Sequence, residues 1–207
     1  MTVRRVSVYI DGYNLYYAIK KLADDNPKEN HLKWVDLWAL SETLVSPDET
    51  VTAVKYFSTY ADWIDDSFGR NQKYVKVLKE KDVEFIDGRF KEKSVKCKKC
   101  GNIYDGHEEK ETDVNIGVHL MADGLQDRFD RALVISADTD LNGAVNLTRT
   151  ETVGKQIDIF ALKRKNNNSK ASLEVTVDNL RNSLLPAEII CDGKIIIRPK
   201  EYDPPQN

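Results

Sequence analysis

The sequence predicts an α/β fold with a mostly parallel central sheet, and three observations carry that prediction. Short apolar runs alternate with segments of helical periodicity, as repeated βαβ units require. Residues 133–135, Leu-Val-Ile, form a continuous apolar run with no polar face, as a strand covered on both sides has. That run and residues 6–10, Val-Ser-Val-Tyr-Ile, both stop abruptly in acidic residues. Strand ends of this kind are where open α/β sheets place their ligands.

Taken in order, residues 6–10 predict a first strand, stopped by Asp11-Gly-Tyr-Asn14, and residues 15–22 a helix with Leu15, Ile19 and Leu22 on one face. Residues 24–30 are polar and read as a surface loop. Residues 34–44 read as a helix carrying Leu37, Leu40 and Leu44, with Trp34 and Trp38 as packing groups. Further strands are predicted at 52–58, 83–86 and 156–161, and a further helix at 72–81. Residues 60–69 read as a loop.

Residues 111–125 have the spacing of an amphipathic helix whose stripe is Val114, Val118, Met121 and Leu125. Asp113 lies in its first turn; Asp123 and Asp127 read as surface charges. A helix is also predicted at 141–148, and another at 172–180 in spite of Val175, Thr176 and Val177. Residues 188–197 alternate around Asp192-Gly193, a hairpin signal, and a tail follows. No repeat or linker divides the chain. The expected organisation is one domain over 1–207, with an insertion at 89–110 and a hairpin and tail at 186–207.

Composition narrows the function. The 207 residues are 41% hydrophobic and 31% charged, with a net charge of −3. No global basic field draws nucleic acid in, so any such binding needs a local patch. No apolar run is as long as a membrane span. No signal peptide is read at the start, and a cytoplasmic location is expected. A local basic patch exists: Arg89, Lys91, Lys93, Lys96, Lys98 and Lys99 face a single Glu92 in sequence. It reads as a loop that grips a phosphate backbone or, more plainly, as a solvated face. Cys97-Lys-Lys-Cys100-Gly101 lies inside it, with His107 beyond. This spacing points to a zinc knuckle, with Cys97, Cys100 and His107 as ligands and Cys191, His31 or a carboxylate as a fourth. A redox role fits less well, because Cys97 does not join a strand to a helix.

The acidic residues have local readings too. Asp11 or Asn14 can cap a helix, and Asp113 suits a helix N-terminus. Together they form a pattern. Asp138 and Asp140 end the fourth strand, Asp11 ends the first, and Asp113 opens the helix leading into the fourth. If the first and fourth strands are neighbours, all four carboxylates meet at one sheet edge. Clustered carboxylates repel, and divalent cations relieve that repulsion. Phosphodiester hydrolysis uses Mg²⁺ or Mn²⁺ held in this way.

Three segments, Tyr9-Ile-Asp-Gly-Tyr-Asn-Leu15, Glu108-Glu-Lys-Glu-Thr-Asp-Val-Asn115 and Val134-Ile-Ser-Ala-Asp-Thr-Asp-Leu141, resemble the NYN domain family, relatives of the PIN-domain nucleases. The resemblance runs from the first strand to about residue 162. It implies a PIN-like three-layer fold and a metal-dependent nuclease, usually acting on RNA. Asp11, Asp113, Asp138 and Asp140 would be the Mg²⁺ or Mn²⁺ ligands, with Asn14 and Ser136 supporting them. Lys110 would approach the scissile phosphate. The Cys97–Cys100 segment with His107 resembles an insertion of some bacterial members. Ala137 departs from the glycine common in the family.

Other classes stand beside this one. Haloacid dehalogenase-like phosphatases carry Asp-x-Asp on the first strand, and here that strand ends in Asp-Gly-Tyr-Asn. The Toprim fold has a glutamate where Asp11 stands. A non-catalytic RNA-binding or adaptor protein would keep the fold without the activity.

Overall fold

A computed structural model describes residues 3–60, 65–96, 100–162 and 173–205. Six strands form the central sheet: β1 (Arg4–Asp11), β2 (Glu49–Ser58), β3 (Val83–Asp87), β6 (Arg131–Ile135), β7 (Gln156–Leu162) and β8 (Leu173–Val175). Their order is β3-β2-β1-β6-β7-β8, and every pairing is parallel. The first and fourth predicted strands, β1 and β6, are therefore neighbours. Ile10 pairs with Ile135, so Asp11 and Ser136 emerge side by side.

Alternation along the strands sorts the core into two layers. On one side Val6, Val8 and Ile10 pack with Leu15 and Ile19 of α1 (Gly12–Asp25), Leu40 of α2 (Leu37–Glu42) and Leu78 of α3 (Asp65–Glu80). On the other, Tyr9, Phe57 and Val134 pack with Ile116 and Leu120 of α4 (Thr112–Leu125) and Val145 of α5 (Asn142–Glu151). Helices on both faces of a parallel sheet leave its C-terminal edge open, which is where the site lies.

Gly12, the first residue of α1, packs against β2. A Cβ there would stand 2.7 Å from the Phe57 carbonyl oxygen and 2.8 Å from Ser58 Cβ. Glycine is needed for space, so that the chain leaving Asp11 can cross β2.

Several sequence expectations change. The residues read as a loop at 24–30 finish α1 and begin a 3₁₀ segment, Pro27–Trp34, whose Asn26 cap accepts from the Lys28 N–H. Part of the loop expected at 60–69 is the start of α3; residues 61–64 lie outside the described residues. The helix expected at 172–180 divides into β8 and a short α6 (Val177–Arg181), as its β-branched run favours a strand.

Helix α4 is rotated from its expected setting. Ile116 and Leu120 are buried, while Val114, Val118 and Leu125 are 66%, 59% and 63% exposed. Asp123 is buried rather than superficial. Its carboxylate accepts from Lys55 Nζ at 2.6 Å, the Tyr9 hydroxyl at 2.7 Å and Arg128 Nη1 at 3.1 Å. The helix is apolar on two faces, and this buried ion pair belongs to the inward one.

The basic run is not a loop. Residues 89–96 form β4 (Arg89–Lys96), paired antiparallel with β5 (Ile103–Lys110) as a separate ribbon. A C-terminal hairpin, β9 (Glu188–Cys191) with β10 (Lys194–Ile197), turns at Asp192-Gly193 as expected.

Candidate active site

Asp11 anchors the site. Its carboxylate is 5% exposed and held at both oxygens: Oδ1 accepts from the Asn14 backbone N–H at 2.9 Å, and Oδ2 from the Ser136 hydroxyl at 2.8 Å. Asp11 is thus the helix cap that local reasoning predicts, and it also faces the end of β6. Ser136 Oγ in turn accepts from the Asp138 N–H at 3.0 Å, and Asn14 Oδ1 from the Ala137 N–H at 2.9 Å. These bonds lock the β1–α1 turn to the β6–α5 turn. Asn14 and Ser136 are positioning groups in this frame.

Asp138 Oδ1 accepts from the Asp140 N–H at 2.9 Å. This closes a local Asx turn and does not cap α5, which starts at Asn142. Asp113 and Asp140 are exposed, and among the described residues their carboxylates make no hydrogen bond.

Electrostatics show that these groups share one space. Asp113 has its pKa pushed up to about 6, first by partial desolvation and then by the charges of Asp11, Asp138, Glu109 and Asp140. Asp11 is raised as well, first by burial and then by Asp138 and Glu109. Burial is the larger cause in both, and the neighbouring like charges add to it.

Glu109 is the member that sequence reasoning missed. It sits at the root of the ribbon, accepts from the Thr112 backbone N–H at 3.1 Å, and also receives the Thr112 hydroxyl. It appears in the sequence only as one acid in the Glu108-Glu109-Lys110-Glu111 run, and its partner Thr112 signals no ligand. Between it and α4, Glu111 holds a left-handed backbone, φ 77°, rare for a side chain of its type.

The donor set is carboxylate oxygen throughout, which suits a hard divalent cation such as Mg²⁺ or Mn²⁺. Among the described residues, however, no three His, Cys, Asp or Glu side chains lie close enough together to hold an ion as they stand. Two carboxylates, Asp11 and Asp138, are fixed by hydrogen bonds; two, Asp113 and Asp140, have no such tether.

The structure separates the remaining predicted residues. Strand alternation puts Arg89, Lys91, Lys93 and Lys110 on one face of the ribbon and Phe90 and His107 on the other. Arg89 pairs with Glu111 at 2.7 Å, and Asp105 and Glu109 on β5 offset part of the charge of β4. Lys96 lies seven residues along β4 from Arg89, roughly 20 Å at strand rise. Cys97, Lys98 and Lys99 fall outside the described residues. Cys100 is exposed. His107 pairs in register with Glu92, four residues down the strand from Ile103, and so about 13 Å from that end of the ribbon.

With this geometry in place, comparison with known proteins decides the family. The NYN domain model matches residues 5–182. The chain belongs to the NYN domain family. The NYN domain is a PIN-like nuclease family, generally dependent on divalent metals and generally acting on RNA, which supports a nuclease-type function here. A curated relative, 6-hydroxy-3-succinoylpyridine 3-monooxygenase HspA of Pseudomonas putida, is 26% identical over 185 residues, covering 72% of this chain and 56% of its own length. This chain therefore spans little more than half of that relative. A solved structure of a protein of unknown function from Vibrio parahaemolyticus superposes with a TM-score of 0.59 over 89% of this chain and 98% of its own, at 15% identity. It supports the fold alone. No described helix is long and apolar enough to cross a membrane.

Proposed function

We propose that this NYN domain is a metal-dependent endoribonuclease and that Asp11, Asp113, Asp138 and Asp140 form one site. The observation that carries the reading is that Asp11 and the Asp138 backbone are joined through Ser136 across the ends of β1 and β6, with Asp113 near enough for their charges to raise its pKa.

A Mg²⁺ or Mn²⁺ ion bound there would polarise the phosphodiester, lower the pKa of an attacking water and neutralise the leaving oxygen. Asp11 and Asp138 supply ligand oxygens already oriented by Ser136, Asn14 and the Asp140 N–H. Asp113 and Asp140 complete the set by turning inward, and Glu109 adds negative charge beside them. No histidine stands in this cluster, so the carboxylates act as ligands and not as a His-type general base. Lys110, three residues before Asp113, and Arg89, Lys91 and Lys93 on the basic face of the ribbon would hold the RNA backbone, and Lys96, Lys98 and Lys99 belong to the same proposed contact. A structural Zn²⁺ held by Cys97 and Cys100, with His107 as a candidate further ligand, belongs to the same reading.

The test is cleavage of single- and double-stranded RNA and DNA with Mg²⁺, Mn²⁺ or EDTA. The reading requires RNA cleavage that EDTA abolishes. Binding without cleavage under every metal would favour an adaptor, and cleavage that persists in EDTA would remove the metal.

A further inference from the structure

A cavity of about 350 Å³ opens at the start of α1, reaching Gly12, and is walled by α1, β2, the 3₁₀ segment, α3, the ribbon and the C-terminal segment. Its size lies at the lower end of small-ligand sites, roughly 300–1,000 Å³. Two features stand out in its lining.

The first is a run of aromatic surface. Tyr13, Tyr16 and Tyr17 follow Asp11 on α1, with Phe90 and Tyr202 opposite. Tyr13 meets Phe90 edge-on at 5.6 Å, and its hydroxyl donates to the Thr59 carbonyl at 2.9 Å, so its ring is fixed. Tyr16 and Tyr17 are 41% and 58% exposed, although they stand edge to face at 5.5 Å within a packed wall. Exposed rings on a well-anchored helix are stacking surfaces in search of a flat partner.

The second feature is a concentration of cations. Lys20, Lys33 and Arg70 all line the cavity. Lys20 is paired with Asp24 at 2.8 Å and Arg70 with Glu201 at 3.2 Å. Lys33 has no carboxylate partner among the described residues. Its Nζ lies 5.9 Å from the Tyr16 ring and 6.0 Å from the Tyr202 ring. Burial holds its pKa down, and Lys20 and Arg70 add to this while Asp24 and Glu201 oppose it. An anion placed there would relieve the crowding. An aromatic wall and an unmatched cation in one cavity call for a flat ring that carries an anionic group.

We infer that this cavity is a nucleotide subsite, in which a base stacks on Tyr17 with Tyr16 at its edge and the attached phosphate meets Lys33 between Lys20 and Arg70. The identity of the ligand rests on the nuclease reading: Tyr13 is two residues from Asp11, so a nucleotide held here would neighbour the phosphate at the acidic edge. The subsite would fix which bond of a flexible strand is presented, by stacking and charge more than by reading base edges.

The experiment measures binding in EDTA, where no cleavage is required. The probes are ribonucleoside monophosphates, the matching nucleosides, inorganic phosphate and benzoate, followed by a short single-stranded RNA. The monophosphates should bind more tightly than either half. Tyr17→Ala should weaken monophosphate and RNA binding about tenfold, and Tyr17→Phe should restore it. Lys33→Met should weaken phosphate-bearing probes and spare nucleosides, with a shallower salt dependence by about one phosphate contact; Lys33→Arg should recover most of the loss. Monophosphates that bind no better than nucleosides, variants that bind like wild type, or benzoate binding as tightly as the monophosphates would overturn the assignment. Metal-dependent RNA cleavage by a protein with no such binding would leave the nuclease reading standing and remove the subsite. Binding lost in the variants, in a protein that cleaves nothing, would keep the subsite and remove the nuclease.

Discussion

The two ends of the same parallel sheet treat charge in opposite ways. At the N-terminal edge Glu49, Asp130 and Asp158 each meet an arginine. Arg131 donates to Glu49 at 2.8 Å and to Asp158 at 2.7 Å, and Arg4 reaches the other Glu49 oxygen at 3.1 Å. Arg5 holds Asp130, whose pKa falls to about 2, first through its side-chain hydrogen bonds to that guanidinium. At the C-terminal edge carboxylates meet carboxylates, and Asp113 moves the other way, up to about 6. One edge pairs opposite charges and the other gathers like ones. The difference teaches where to look for function: an arrangement that costs stability persists for something other than stability.

The largest effect that would sharpen this contrast is at the paired edge. Arg131 is buried, and Arg131→Met leaves Asp158 without its cation and Glu49 with Arg4 alone. Loss of about 3–5 kcal/mol in urea unfolding is expected, the usual cost of breaking a buried pair. RNA cleavage per folded molecule should not change. A stability loss below about 1 kcal/mol would show that this edge is not held by charge.

At the other edge the ranking reverses. Ser136→Ala removes the hydroxyl that joins Asp11 to the Asp138 backbone. Cleavage should fall roughly 10–100-fold, as for supporting groups around a metal, while the melting temperature moves little. A large stability loss with full activity would make Ser136 an ordinary core contact.

The smallest effects are in pH dependence, and the two edges give opposite signs. Asp130 has a depressed pKa, so its contribution is present above its unfolded value of about 4 and is lost as pH falls toward about 2. Asp113 has a raised pKa, so metal-free stability should decline as pH rises from about 4 to about 6. Asp113 is exposed and Asp130 is about a third exposed, so screening keeps each effect small. Denaturation across this range in EDTA checks the signs: Asp113→Asn should remove the upper decline and Asp130→Asn the lower one.

The sequence makes one edge of this contrast legible. β1 and β6 read directly because apolar runs stop dead in acids, and the same stops expose Asp11, Asp138 and Asp140. The hairpin at Asp192-Gly193 reads equally well, since its turn chemistry is local. What is hidden depends on partners distant in sequence. β4 and β5 look like loop because a ribbon exposed on both faces has no apolar alternation. α4 carries two apolar stripes, and only the Lys55–Asp123 pair, 68 residues apart, shows which one faces inward. Glu109 joins the acids only because the ribbon returns its strand to the root of α4. The Arg131–Glu49 network is equally unreadable, because parallel neighbours in the sheet lie far apart along the chain.

The central claim, that the four aspartates are one cation site, is tested most directly by thermal melts of Asp138→Asn beside wild type, in EDTA and in Mn²⁺, with cleavage measured on the same samples. Asparagine keeps the Oδ1 that accepts from the Asp140 N–H and removes one charge. The account predicts a variant at least as stable as wild type in EDTA, with most of the Mn²⁺-induced rise in melting temperature gone and cleavage lost. A variant that melts lower than wild type in EDTA, still gains stability from Mn²⁺ and still cleaves RNA would contradict it.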